Sequence, residues 1–308
     1  CREVKMSNLV LRDEERAAFY QEITLNRRLC PEIYLERVTV TLSSDGYRLG
    51  GDGELIEYGV KMRRLDEDRM MALVLAAGAL TTDHLDQIVD TLVPFYESAE
   101  VNDEIRSYGR TETVAVNVVE NFEQTEAFVD GPALGREQFE QIKAYALGVL
   151  NQKHRFDKRI EDERIRDCHG DLYSANICLS DKVYVFDCIE FNDRFRYSDV
   201  AGDIGFLAMD LDFHGHDELA EYFVACYVER SGDRGLLDLQ GSPVVIVADV
   251  FLVVGDVRVV DRGDGDFQAD SMFFWTPQLS MVAAPGRPYV RPTMASRIDC
   301  RSVVVTQR

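Results

Sequence analysis

The chain has 308 residues, 46% of them hydrophobic and 29% charged, which is the composition of a globular protein with a sizeable core. Its formal net charge of −21 disfavours binding to nucleic acid or to an anionic membrane surface, and no stretch reaches the ~18 uncharged apolar residues of a membrane helix. Its seven cysteines include no CxxC pair, so they indicate neither a zinc site nor a disulfide framework and favour the reducing cytoplasm.

The N-terminal section predicts a helix followed by an antiparallel meander of strands. Apolar residues recur at roughly helical spacing over 13–30, and a proline directly after this segment ends the pattern. Alternating β-branched residues predict a strand over 33–42, followed by a turn at 43–46 and a short strand at 47–49. The Gly-rich residues 50–53 form the turn before the third strand, 55–63. We therefore interpret residues 1–65 as a small mixed lobe that is incomplete.

Helical patterns dominate the next part of the chain, 66–237, which we interpret as a larger helical lobe. The segments with a helical pattern are 67–80, 82–98, 112–124, 135–154, 200–212 and 216–230. Two short segments between them, 177–179 and 183–186, predict strands joined by a polar turn.

The residues that point to chemistry begin in the segment 168–176. It contains His169 and Asp171, and Asn176 stands five residues after the aspartate. Transfer of a γ-phosphoryl group requires a carboxylate that orients and deprotonates the acceptor hydroxyl, together with oxygen ligands for Mg²⁺. We expect Asp171 to act as this base and Asn176 to offer an amide oxygen to the metal. His169 is expected to fix the loop by hydrogen bonds.

A second carboxylate, Asp187, follows the predicted strand pair. A hairpin returns the chain to the point where it began, so Asn176 at its entrance and Asp187 at its exit should lie side by side. We therefore predict Asp187 as the main carboxylate ligand of Mg²⁺. Each of these features alone is common in loops that have no catalytic role. The ordered set of HGD, Asn, hairpin and Asp favours a functional site.

This set resembles the aminoglycoside phosphotransferase-like branch of the protein-kinase-like superfamily, in which HGDxxxxN replaces the HRDxxxxN loop. Further segments resemble a bacterial group in which such a domain is commonly fused to a C-terminal P-loop ATP-binding domain. These segments are 26–29, 31–35, 58–64, 186–193 and 199–211. The resemblance covers roughly residues 1–237. It implies an α+β, two-lobed protein-kinase-like fold and an ATP- and Mg²⁺-dependent transferase that phosphorylates a hydroxyl of a small molecule.

The resemblance also implies roles for residues outside the central segment. Asp203 resembles the helix aspartate that braces the catalytic loop through backbone N–H groups. Lys5 resembles the strand lysine that binds the ATP phosphates, and Glu22 resembles its ion-pair partner on the following helix. Lys61 is the competing candidate for that lysine. Met62 would then lie near the adenine.

The chain departs from the family pattern in two places. Only four residues precede Lys5, so the Gly-rich hairpin that should cover the phosphates is missing, and we interpret the chain as a fragment that begins inside a domain. No GxxxxGK[ST] motif occurs, so the P-loop partner domain is absent from the sequence. The missing hairpin favours an alternative, a non-catalytic kinase-like nucleotide-binding or regulatory module. A metal-dependent hydrolase is a third reading, but it lacks the second ligand cluster of a two-metal site.

The composition of the tail, 238–308, differs from that of the preceding segments and does not indicate a further domain. From residue 239 onward Lys disappears, Val-rich runs and Gly increase, and helical periodicity stops. We interpret the change as a reading-frame slip near 237–240, so that the tail is not a native part of the fold; a divergent β-rich appendage is the alternative. Translating the other frames of the nucleotide sequence should give a helical continuation. If neither frame does, and limited proteolysis leaves the tail intact, the tail is a real domain.

Overall fold

The computed structural model describes residues 13–130, 135–237 and 303–307, and these ranges form an α+β structure. The helices are α1 (Asp13–Asn26), α2 (Met71–Ala76), α3 (Thr82–Ser98), α4 (Asp103–Ser107), α5 (Thr111–Thr125), α6 (Arg136–Leu150), α7 (Lys153–Glu161), α8 (Asp193–Arg196), α9 (Val200–Phe213) and α10 (Asp217–Ser231). The strands are β1 (Tyr34–Ser43), β2 (Gly46–Leu49), β3 (Glu54–Arg63), β4 (Ile165–Asp167), β5 (Ile177–Leu179), β6 (Val183–Val185), β7 (Tyr197–Asp199) and β8 (Val303–Gln307). The mixture of helix and sheet agrees with the predicted class.

The N-terminal meander forms as the sequence predicts. Strands β1, β2 and β3 pair antiparallel, and the Gly-rich turn joins the second strand to the third. Gly50 adopts φ +73° in this turn, a left-handed conformation that glycine reaches without a steric cost. Helix α1 ends at Asn26, earlier than the pattern over 13–30 predicts, because the backbone carbonyl of Asn26 accepts the N–H groups of Leu29 and Cys30 in a tight turn.

The predicted tail lies almost entirely outside the described residues. Residues 238–302 and 308 belong to this undescribed part, so the reading-frame slip stays a prediction. The tail residues that are described form β8, which pairs parallel with β3 and gives the sheet order β2-β1-β3-β8.

The main hydrophobic core lies between α3, α9 and α10. Apolar side chains recur at three- and four-residue spacing along α3, so that one face of the helix is buried. The buried residues on that face are Leu85, Ile88, Val89, Leu92, Phe95 and Tyr96. Ile204 and Leu207 of α9 and Phe223 of α10 are fully buried against them. This core supplies a rigid base under the loop that follows β4.

A second hydrophobic cluster joins the sheet and α1 to the β5–β6 hairpin. Phe19 and Ile23 of α1 pack with Tyr58 of β3, and Cys178 and Tyr184 of the hairpin complete the cluster. The hairpin therefore contacts the sheet on one side, while other hairpin residues contribute to the main core. The residues at the two ends of the hairpin lie where these two parts meet.

The structure differs from the sequence prediction where short elements depend on distant partners. The segment 135–154 is two helices, α6 and α7, because Gln152 leaves helical backbone angles. Strands β4 and β7 were not predicted; they pair antiparallel with each other, and the segment 168–176 follows β4. Three-residue strands carry too little periodicity to be recognised without their partners. Among the described helices, none is long and apolar enough to cross a membrane.

A buried arginine on α7 connects three separate parts of the chain. The Arg159 guanidinium donates to both carboxylate oxygens of Asp199 at 2.7 and 2.6 Å, and to both of Asp233 at 2.5 and 2.9 Å. Arg159 is 5% exposed and Asp233 2% exposed. Two bidentate pairs satisfy the buried charge, and the break between α6 and α7 brings Arg159 to its partners.

We predict that Asp233→Ala destabilises the fold by ~3–5 kcal/mol, because it leaves part of a buried guanidinium without its carboxylate. Urea unfolding followed by circular dichroism measures this change. Asp45→Ala serves as the control, since Asp45 forms a solvent-exposed pair with Arg48 and should alter the midpoint little. Equal midpoints for the two variants would contradict the assigned role of Asp233.

Candidate functional site

The segment 168–176 follows β4 as a loop. It ends in a single 3-10 turn at Ser174–Asn176, which leads into β5. Gly170 adopts φ +86°, and a Cβ at this position would lie 2.8 Å from the backbone oxygen of Phe195. Glycine is therefore required here for both conformation and space. The close approach holds the loop against the segment that leads to β7.

His169 is a fully buried, neutral side chain that connects the loop to the β5–β6 hairpin. Its Nδ1 accepts the backbone N–H of Asp171 at 3.3 Å, so its Nε2 carries the proton and donates to the carbonyl of Phe186 at 3.1 Å. Burial, and secondarily the charge of Arg28, lowers the pKa of His169 to about 3. The side chain positions the loop and does not reach a cleft, since it is 0% exposed.

Asp203, on the buried face of α9, holds the start of the same loop. Its carboxylate accepts the backbone N–H of His169 at 2.8 Å, that of Gly170 at 2.9 Å and the hydroxyl of Tyr96 at 2.9 Å. Burial raises the pKa of Asp203 even though these three donors oppose the shift. The contacts are those expected of a loop-bracing aspartate.

Asp171 and Asn176 contact each other directly. The Nδ2 amide of Asn176 donates to the backbone carbonyl of Asp171 at 3.0 Å and to its carboxylate at 3.1 Å. With two acceptors fixing the nitrogen, the Oδ1 atom of Asn176 points away from Asp171 and is the group that could serve a cation. Burial, and next the charge of Asp187, raises the pKa of Asp171 well above its usual range.

The hairpin brings Asp187 back to Asn176. The backbone N–H of Phe186 donates to the carbonyl of Asn176 at 3.0 Å, one step beyond the Ile177–Val185 pair of the ladder. Asp187 adopts φ +66°, an uncommon conformation for a residue with a Cβ, and its N–H donates to the Tyr34 hydroxyl at 3.3 Å. The backbone is therefore held in a strained form at the residue predicted to bind metal.

Four buried carboxylates lie in and around this loop. The carboxylates of Asp171, Asp187, Asp203 and Asp210 are each shifted toward the protonated form by burial. Asp210 accepts the N–H of Ser174 at 2.9 Å and so supports the end of the loop. A cation bound beside Asp171 and Asp187 would favour the ionised forms of these carboxylates.

The donor set suits Mg²⁺ bound together with a phosphate ligand. Within 13–130, 135–237 and 303–307, no group of three or more His, Cys, Asp or Glu side chains is arranged to hold a metal ion. Mg²⁺ in nucleotide sites needs only one or two protein oxygens, because phosphates and waters complete its shell. Asn176 Oδ1 and the Asp187 carboxylate are therefore the protein oxygens that could hold Mg²⁺ together with a nucleotide.

The structure describes some of the residues predicted to bind ATP and leaves one of them undescribed. Lys5 lies outside the described residues, so its pairing with Glu22 stays a prediction. Glu22 lies near Glu190 and Asp187, and burial, followed by the charges of these two residues, raises its pKa to about 8. The competing residue, Lys61, pairs with Glu36 on the neighbouring strand at 2.7 Å.

Met62 lies in the hydrophobic cluster between the sheet and the hairpin. It is partly buried and packs against that cluster, as does Phe186, the residue before Asp187. Its strand partner is Tyr34, whose hydroxyl accepts the N–H of Asp187. Met62 is therefore on the side of the site formed by the sheet.

Sequence reasoning did not assign roles to Asn26 and Arg28, which secure the loop from the α1 side. Arg28 donates to the backbone carbonyls of Asp167 and Cys168 at 2.9 and 3.0 Å. The Oδ1 atom of the buried Asn26 accepts the N–H of Cys188 at 2.9 Å. Both residues belong to the segment 26–29, which carries part of the family resemblance. That resemblance is the sequence signal that could have indicated their roles.

Arg196 is a further residue that the sequence did not reveal. Its buried guanidinium donates to the Asp167 carboxylate at 2.6 Å, to the carbonyl of Ile189 at 3.0 Å and to the Asp193 carboxylate at 2.7 Å. Its own carbonyl accepts the N–H of Cys168 at 2.9 Å. One side chain thus connects both sides of the loop, and only the fold brings these partners together.

Comparison with known proteins finds relatives in mycobacteria. The uncharacterized protein Rv2004c of Mycobacterium tuberculosis and the uncharacterized protein Mb2027c of Mycobacterium bovis are each 31% identical to this chain over 265 residues. The match covers 84% of this chain and 51% of each relative, so the chain spans about half the length of the curated relatives it matches. No protein-family model matches the chain.

We predict that His169 makes the fold sensitive to acid. Between pH 6.5 and pH 3 the unfolded chain binds a proton at this histidine that the folded chain does not, so acidification favours unfolding. Between pH 7 and pH 5, the free energy of unfolding should fall by about 2 kcal/mol more in the unaltered protein than in His169→Gln, which lacks this histidine. Urea titrations at the two pH values measure the difference. Parallel pH dependence in both proteins would show that His169 is not buried in neutral form.

Proposed function

We propose that the chain is the phosphotransferase part of an ATP- and Mg²⁺-dependent enzyme that phosphorylates a hydroxyl group of a small molecule. The observation that carries the proposal is the direct contact of Asp171 with Asn176, beside the hairpin end that bears Asp187. Phosphoryl transfer depends mainly on positioning and on charge stabilisation, and this arrangement supplies groups for both.

Each of the three residues has a separate role in this proposal. Asp171 accepts the hydrogen bond of the acceptor hydroxyl and receives its proton as the phosphoryl group is transferred. The Asn176 amide holds the Asp171 carboxylate in place through Nδ2, leaving Oδ1 for the cation. When bound by Asn176 and Asp187, Mg²⁺ supplies positive charge against the phosphate oxygens.

The arrangement of the two hydrophobic clusters supports a two-lobed protein-kinase-like fold. The site lies where the sheet and α1 meet the helical core, so a nucleotide could bind from the sheet side and an acceptor from the helical side. In this proposal Met62 contacts the adenine, and Glu22 holds Lys5 toward the phosphates. Asp203 and His169 act as positioning residues, since they hold the loop and do not reach its exposed side.

The cytoplasm is the proposed site of action. Five cysteines, Cys30, Cys168, Cys178, Cys188 and Cys226, are free thiols in the described part of the chain, as expected in a reducing compartment. The full-length relatives are about twice as long as the matched part. We propose that the remaining part of such a protein supplies a P-loop ATP-binding domain.

We predict that Asp171→Ala in the full-length protein lowers turnover about 10²–10⁴-fold while leaving ATP affinity nearly unchanged, because a general base acts in the transition state. Transfer of labelled phosphate from ATP, screened over small hydroxyl compounds, measures turnover. Asp212→Ala is the matched control, since Asp212 is an exposed aspartate on α9. Near-normal turnover in Asp171→Ala would refute the assigned base.

Nucleotide binding and phosphate transfer, measured together, separate the enzyme from a non-catalytic module. We expect Mg²⁺ and ATP together to raise the melting temperature more than ATP alone, and Asp187→Ala to abolish this difference because it removes the metal carboxylate. Thermal unfolding with and without Mg²⁺ measures the effect. Binding that persists in the full-length protein without any phosphate transfer would favour a regulatory nucleotide-binding module.

A further inference from the structure

A cavity of about 80 Å³ lies between α5, α7 and the segment that contains β7. Aromatic side chains of Tyr108, Phe156 and Tyr197 form part of its wall. The residues that line it do not include Asp171, Asn176 or Asp187. A water molecule needs roughly 10–15 Å³ of such volume, so the cavity has room for a small organic molecule.

Two buried polar atoms on the wall of this cavity have no hydrogen-bond partner among the described residues. They are the Oδ1 acceptor of Asn117 on α5 and the Nε donor of Arg194 on α8. The terminal nitrogens of Arg194 are engaged, since they donate to the Glu120 carboxylate at 3.2 and 2.7 Å. Buried polar atoms are almost always satisfied in proteins, so an unpaired donor and an unpaired acceptor at one cavity indicate a ligand with complementary groups.

One positive charge on the cavity wall is also uncompensated. Three arginines line the cavity: Arg194 is paired with Glu120, and Arg159 is paired with two aspartates. Arg155, at the start of α7, is half-buried and forms no ion pair with any residue that the structure describes. Among the described residues, Arg155 is therefore the lining arginine without a carboxylate partner, and its guanidinium could pair with the carboxylate of a ligand.

We propose that this cavity binds a small organic carboxylate that also carries a hydroxyl or amino group. Arg155 and the Nε of Arg194 hold the carboxylate, Asn117 accepts a hydrogen bond from the hydroxyl or amine, and the aromatic wall covers the apolar part. The ligand is of the size of a short hydroxy acid. This site is separate from the candidate phosphotransfer site, and the proposal does not depend on that function.

The segment that contains β7 lines the cavity and also contacts the loop 168–176. The side chains of Asp171 and Asn176 in that loop do not line the cavity. Ser198 and Asp199 of β7 line the cavity, and the carbonyl of Ser198 accepts the thiol of Cys168 at 3.4 Å. Asp199 caps α9, the helix that carries Asp203. A ligand in the cavity therefore rests on the segment that supports the loop, while Asp171→Ala should leave its binding unchanged.

Calorimetric titration with sodium lactate and sodium glycerate tests the proposal, with sodium chloride and the neutral lactamide as reference solutes. We expect saturable binding of at least one of the two acids and none of lactamide. Arg155→Met should weaken that binding at least about tenfold, because it removes a charge-assisted contact while keeping the apolar stem. Asn117→Leu should weaken it as well. Arg234→Met is the matched control, since Arg234 is exposed and lies outside the cavity.

Thermal unfolding without added solute establishes that each variant is folded. Arg155→Met should melt close to the unaltered protein, since Arg155 has no partner among the described residues to lose. Three results would overturn the proposal: neither acid binds, lactamide binds as well as lactate, or Arg155→Met and Arg234→Met bind the acids equally. The first of these would leave a cavity that holds water only.

Discussion

The candidate site depends on one buried carboxylate, that of Asp203. Its oxygens accept two consecutive backbone N–H groups of the loop, from His169 and Gly170, and a third donor from Tyr96 in the main core. A loop with this conformation, including a left-handed glycine, would otherwise bury unsatisfied donors, which costs about 1–3 kcal/mol for each group. The loop therefore takes its position from α9, and α9 takes its own from packing against α3 and α10.

A surplus of negative charge surrounds this loop. Burial, followed by the charges of Glu190 and Asp187, raises the pKa of Glu22 to about 8. Burial, with a smaller effect of the Asp187 charge, raises the pKa of Glu190 to about 7. Structural needs alone do not favour so many carboxylates in one place, since like charges repel and burial penalises each one. Such clusters are typical of sites that act on cations or on metal-bound phosphates. The strained backbone of Asp187 belongs to the same region.

Three arginines, two of them buried, join the segments that form the site. Arg28 connects α1 to the loop, Arg196 connects the loop to the segment before β7, and Arg159 connects α7 to β7 and to the residues after α10. In each case carboxylates or carbonyl oxygens surround the guanidinium, as a buried charge requires. Arg155 differs from these three because it has no such partners among the described residues, although it lines the same cavity as Arg159. This contrast distinguishes an arginine that holds the fold from one available to a ligand.

The sequence by itself determined the longer helices, the N-terminal meander, the β5–β6 hairpin and the convergence of Asn176 with Asp187. Periodicity reports one buried face over several turns, and a hairpin brings its two ends together through local pairing alone. Only the tertiary structure decided the β4–β7 pairing, the break between α6 and α7, and the roles of Arg28 and Arg196. These features depend on partners far apart in the chain, which no local pattern of residues encodes. The cavity near Arg155 has the same origin, since its walls come from several helices and strands that are distant in the chain and whose packing leaves polar atoms without partners.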